Sequence, residues 1–94
     1  MFSKFMLGSL VIDDSVREEL QRTPLDLVAR HAVCDFGRVT TRVVKQNLVA
    51  VKRGGEVVSE YLADPEHPEG RRIRIVTTEG WGHTTVSLIK PQPK

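Results

Sequence analysis

The stretch RRIRIVTTEGWGHTTVSLI, residues 71–89, alternates apolar and polar side chains on both sides of a glycine-containing centre. A period of two marks a half-buried strand, so this reads as two strands of a hairpin. With Gly80-Trp81 as a tight two-residue turn, Thr77 faces Thr84, Ile75 faces Val86 and Ile73 faces Leu88. A three-residue loop would set Ile75 against Ser87 and mix the two faces. The hairpin therefore carries its own register, and with it an apolar face that the rest of the chain must cover.

The other segments read as follows. EVVSEYL (56–62) has strand character and is joined to the hairpin by the Pro-, Asp- and Gly-containing loop ADPEHPEG. FMLGSLVI (5–12) reads as a mostly buried strand ended by Asp13-Asp14. Ser15 and Glu18 have capping-box spacing, which predicts a short helix over 15–21. A second helix starts at Thr23-Pro24-Leu25-Asp26, with Thr23 as cap, Pro24 in the first turn and Asp26 at the positive dipole end. Leu25, Val28, Ala29 and Ala32 follow at helical spacing, and Gly37 is a natural stop.

In TTRVVKQNLVAVKRGG the stripe Val44, Leu48, Val51 is helical, Thr40 or Thr41 can cap it, and Lys52-Arg53-Gly54 suits a helix end. Its four valines leave a strand open, and the helix is the reading adopted. The expected fold is α+β: an antiparallel sheet of about four strands with two or three helices on one face, in the order β-α-α-α-β-β-β. Residues 1–90 form one domain, and 91–94 form a loose tail.

Ninety-four residues support one core. Such a chain hides only about 60–65% of the surface its unfolded form exposes, which leaves little apolar area for a deep cavity. Hydrophobic content of 39% with 28% charged residues fits a globular domain. The longest apolar run, 5–12, is far short of a bilayer span and lacks a small-residue cleavage site, so neither a membrane anchor nor a signal peptide is expected. The single cysteine forms no internal disulfide, which suits a cytoplasmic setting. The net charge of +2 is too small to imply a nucleic-acid partner by itself.

Several short motifs are spread along the chain: Leu7-Gly8, Arg30-His31, Asp35-Phe36-Gly37, Asn47 with Ala50, Gly54, Ser59 with Tyr61, Thr78-Glu79, and Thr84-Thr85 with Leu88. In this pattern the chain resembles a group of short proteins of bacterial plasmids, phages and integrated mobile elements whose function is not established. Phe36 stands where that group more often has tryptophan, and Gly80-Trp81-Gly82 replaces a charged turn. The resemblance implies a mobile-element accessory protein and brings no activity with it.

The segment RHAVCDFG (30–37) holds the most reactive-looking residues. A Cys34–His31 dyad would need a thiolate, yet the negative end of a helix raises a thiol pKa. Cys34 is therefore expected to be a small inert hydrophobe, with His31 near helix carbonyls that favour its charge and Asp35 capping or turning the chain toward Gly37. Of the possible zinc ligands His31, Cys34, His67 and His83, only the first two approach metal-site spacing, so no metal or cofactor is expected.

The polar set His31, Asp35, Ser59, Tyr61, Glu79 and Thr84 offers acids, bases and phosphate contacts. The rival expectation is that these groups satisfy one another, with Tyr61 and Asp35 tying helix to sheet. Arg72 and Arg74 fall beside Thr85 and Ser87 on the face opposite Ile73 and Ile75, with Trp81 at the hairpin tip, a possible phosphate-contacting platform. The expectation is a module acting by binding, to a protein ahead of nucleic acid, with a homodimer compatible. The alternative is a small hydrolase or nuclease-like enzyme using His31, Asp35 and Tyr61. Convergence of those three on open space would favour the enzyme, and mutual burial the module.

Overall fold

The computed structural model describes residues 4–20 and 23–89. The elements are β1 (Ser9–Ile12), α1 (Asp14–Leu20), α2 (Leu25–Ala32), α3 (Thr41–Arg53), β2 (Val57–Leu62), β3 (Arg72–Thr77) and β4 (His83–Ile89), with a 3-10 turn at Glu79–Trp81. This is the expected α+β order. The tail at 91–94 and the end of the first helix at residue 21 lie outside the described residues. No helix among the described residues is long and apolar enough to cross a membrane.

The sheet runs β1-β4-β3-β2. β3 and β4 pair antiparallel with Thr77 opposite Thr84, Ile75 opposite Val86 and Ile73 opposite Leu88, the register read from the alternation. The turn itself is looser than a two-residue loop. Trp81 N–H donates to the Thr78 carbonyl at 2.8 Å, and Gly80, at φ 82° and ψ −5°, takes the left-handed step that this closure needs. β2 adds antiparallel to β3, with Ser59 opposite Ile75 and Tyr61 opposite Ile73.

β1 departs from expectation in three ways. It is shorter than 5–12, it is largely exposed, and it pairs parallel to β4, which makes the sheet mixed. Gly8 explains the shortening. It sits at φ 64°, where a Cβ would lie 2.2 Å from the Gly82 carbonyl oxygen, so the chain turns there and Phe5 drops into the core. Exposure follows from its packing: β1 packs chiefly on β4, whereas the other edge strand, β2, packs on α3 as well as β3 and is half-buried. A long connection through three helices and two strands separates β1 from β4, and parallel pairing requires such a crossover in place of a hairpin turn.

The helix starts also differ in detail. Asp13, not Ser15, precedes α1, and its carboxylate accepts the Ser15 N–H at 3.3 Å. α2 has no side-chain cap: Thr23 offers its carbonyl to Leu25 N–H at 2.8 Å, and Pro24 stands just outside the helix. α3 is a helix as read, capped by the Thr40 hydroxyl on Val43 N–H at 3.2 Å and closed by left-handed Gly54.

Two apolar clusters fill the covered side. Val16, Leu27, Val28, Tyr61, Ile73, Ile75 and Val86 form one. Phe5, Phe36, Ala50 and Val57 form the other, with Leu7 touching both. α3 lies along the β2 edge of the sheet, not squarely over its face: Ala50 reaches the second cluster, while Asn47 meets the strand edge at Val58.

Candidate functional site

RHAVCDFG resolves into a helix end. α2 stops at Ala32, well before Gly37. Asp35 N–H donates to the Arg30 carbonyl at 2.9 Å and Cys34 N–H to the His31 carbonyl at 3.1 Å, the paired bonds of a Schellman ending. That motif needs a left-handed residue, and Cys34 supplies it at φ 65° without being a glycine. Its side chain packs, half-buried, against the second cluster, and burial pushes the thiol pKa up. The stripe that α2 buries is Leu27, Val28, His31 and Ala32, and Leu25 is left exposed. The helix is rotated from the expected stripe because the sheet offers His31 a row of hydroxyls.

That row is continuous. Thr84 Oγ1 donates to the Leu7 carbonyl at 2.7 Å, which leaves its lone pairs to accept from Thr77 Oγ1 at 2.7 Å. Thr77 in turn accepts from His31 Nε2 at 2.9 Å, and His31 Nδ1 accepts from Ser59 Oγ at 2.5 Å. The direction of each bond fixes the next, so His31 is the neutral Nε2–H tautomer. His31, Ser59, Thr77 and Thr84 have no exposed surface, and burial lowers the His31 pKa to about 4. The edge of Phe5 closes over the imidazole at 5.2 Å. His31 is thus not a charged ring among carbonyls but a neutral one, and with both nitrogens bonded to hydroxyls and no exposed surface it serves as a strut.

Tyr61 and Asp35 do tie α2's end to the sheet, but through the backbone. Tyr61 Oη donates to the Asp35 carbonyl at 2.5 Å, and burial pushes the phenol up to about 12. The Asp35 carboxylate instead accepts from Arg30 Nε at 2.7 Å, where the two side chains are 48% and 52% exposed; the guanidinium keeps that carboxyl below its usual range. Arg30 also lies 4.8 Å over the Tyr61 ring. Glu79 is exposed in the 3-10 turn, apart from this set. His31, Asp35 and Tyr61 therefore do not converge on open space.

The arginine platform is also rearranged. Arg74 donates to Glu60 at 3.0 Å and Arg72 lies 3.6 Å from the same carboxylate, so Glu60 offsets much of their charge. With Arg38, they line a groove of about 300 Å³ between β2 and the start of α3. Trp81 is not part of it. Its Nε1–H donates to the Gly55 carbonyl at 2.9 Å and its ring lies 5.7 Å from Phe5, because a large amphipathic ring gains more from this half-buried seat than from the hairpin tip. His67 pairs with Asp64 at 2.9 Å in the exposed 63–70 loop, and no metal-ligand cluster occurs among the described residues.

Sequence reasoning missed Asn47 and the outer face of α3. Asn47 accepts from Val58 N–H at 3.0 Å and donates to the Val58 carbonyl at 2.7 Å, sealing the β2 edge. Asn47 had stood out only as a motif residue with Ala50, and the stripe through Val44, Leu48 and Val51 passes it by. Opposite it, Arg42, Lys45, Lys52 and Arg53 stand exposed around Leu48 and Val49, which are 48% and 53% exposed. Residues 38–53 contain these cations and Arg38 without a single acid, whereas Asp13, Asp14, Glu18, Glu19, Asp64, Glu66 and Glu69 crowd the 13–20 and 63–70 segments. The small net charge conceals this separation.

Fold and site define a small α+β domain whose polar centre is structural and whose distinctive surface is a cationic, partly apolar helix. No family model, curated protein or solved structure matches the chain.

Proposed function

We propose that this chain acts by binding, as a cytoplasmic accessory domain of the mobile-element kind its motifs resemble, and that it holds an acidic protein partner on the outer face of α3. One observation carries this: Leu48 and Val49 are exposed side by side within a ring of cations that have no ion-pair partner among the described residues. An apolar centre with a charged rim is the anatomy of a protein interface. A phosphate backbone would leave Leu48 and Val49 with little to bury against, and the Arg72/Arg74 face, the other cationic surface, is already engaged by Glu60.

The test is affinity capture from host-cell lysate with the wild type, Leu48→Asp, and a Lys45→Glu/Lys52→Glu pair. A specific acidic protein should be retained by the wild type and lost by both variants, whose melting temperatures should stay near the wild type because all three positions are exposed. Tight, steeply salt-dependent binding of a fluorescent duplex, abolished by the same variants, would replace the protein partner with nucleic acid.

A further inference from the structure

The two edges of the sheet are finished in opposite ways. Along β2, Glu60 N–H donates to the Phe36 carbonyl at 3.1 Å and the Glu60 carbonyl accepts from Arg38 N–H at 2.7 Å. Asn47 engages both backbone groups of Val58. That edge is closed. On the far side, Ser9 N–H donates to the Gly82 carbonyl and Asp13 N–H to the Val86 carbonyl, so residues 9, 11 and 13 face β4. By alternation, Leu10 and Ile12 turn their N–H and C=O groups outward, where no strand pairs with them among the described residues.

Among the described residues, only its shortness protects this edge. Ser9–Ile12 contains no charge and no proline, the usual protections of an edge strand. Leu10 is 41% exposed, Val11 48% and nearby Met6 71%.

We propose that β1 is a dimerisation strand, on which a second copy of this chain adds antiparallel across a twofold axis at Val11. The strand is complementary to itself. Leu10 of one copy meets Ile12 of the other, and each outward N–H finds an outward C=O. Val11 lies against its own counterpart in the close, non-hydrogen-bonded position that favours β-branched pairs. Asp13 falls opposite Ser9, so no like charges face each other across the axis. The sheet order puts β2 and α3 at the far end of each protomer, so both cationic helices remain free.

Sedimentation velocity over a concentration series tests this on the full chain, with circular dichroism to confirm that each variant is folded. The wild type should show a reversible monomer–dimer equilibrium. Val11→Lys, which sets two ammonium groups face to face at an exposed position, should weaken the dimer by at least about tenfold. Mixing Val11→Lys with Val11→Glu should restore a heterodimer, which only the twofold register through Val11 explains. A wild type that stays monomeric throughout overturns the proposal. So does a dimer that Val11→Lys leaves intact, or growth into species larger than a dimer.

Discussion

His31 has no exposed surface and yet no apolar role: both ring nitrogens are spent on hydroxyls. The unfolded histidine titrates at its ordinary 6.5, the folded one at about 4. Above 6.5 both states are neutral. As pH falls below it the unfolded chain gains a proton that the folded one refuses, so stability drops between 6.5 and 4 and then levels as far as this group is concerned. The loss should be about 3 kcal/mol, measured by urea midpoints across that window, and a His31→Gln variant should flatten it. Ser59→Ala, which strands Nδ1 in the interior, should cost about 1–3 kcal/mol. Asp35→Ala should cost only about 1 kcal/mol, because its half-exposed carboxylate pairs with Arg30 and the Gly37 backbone near solvent while Tyr61 holds the carbonyl. Cys34 supplies a different residue-scale test. Glycine at this left-handed position relieves strain, and a β-branched residue adds to it. Cys34→Gly should therefore melt at or above the wild type, and Cys34→Val clearly below it.

At the scale of elements, the hairpin is the core's foundation. Ile75 is fully buried between β2 and β4 and packs in the first cluster, so Ile75→Ala should lower stability by about 2–5 kcal/mol. A loss under about 1 kcal/mol would mean that the buried face is not the one described. The β2 edge depends on two attachments. Gly37 adopts φ 69° where a Cβ would fall 2.2 Å from the Glu60 carbonyl oxygen, so Gly37→Ala must break the short parallel bridge to Glu60 or distort the chain. Asn47→Ala removes both hydrogen bonds to Val58 and should cost about 1–3 kcal/mol, with amide exchange at Val58 rising as its direct signature. Leu7-Gly8 and Asp35-Phe36-Gly37, both part of the motif pattern, sit at the two places where the backbone comes nearest a strand or turn.

Across the whole molecule, charge is sorted. An acidic side gathers α1 and the 63–70 loop, pinned together where Arg71 pairs with Glu19, and the cationic helix α3 lies along the β2 edge. α1 packs against β4 and α3 against β2, so the two charged regions sit on different strands of the sheet. A cation-exchange column at neutral pH should therefore retain the chain through α3 more strongly than its net charge of +2 suggests. Lys45→Glu/Lys52→Glu should abolish that retention, more than the same number of reversals made elsewhere on the surface.

Sequence by itself determined whatever rests on local periodicity and local backbone chemistry. The β3–β4 register follows from alternation about one turn, and α3 from its threonine cap and its glycine stop, although the face it buries carries Asn47 and Ala50 and leaves Leu48 of the expected stripe exposed. Of the polar set read from the residues, His31, Ser59 and Thr84 meet in one buried row, which Thr77 completes and from which exposed Glu79 and the Asp35 carboxylate are absent. Tertiary structure decided the rest, because each case turned on a partner remote in the chain. His31 faces inward because three strands bring hydroxyls to it, and α2 rotates to suit. Trp81 folds back because Gly55 and Phe5 give its N–H and its ring somewhere to go. Asp35 holds the sheet by its carbonyl, a group that every residue has and no sequence can advertise. β1 runs parallel and bare-edged because its one neighbour, β4, lies more than seventy positions along the chain, beyond the reach of any local rule.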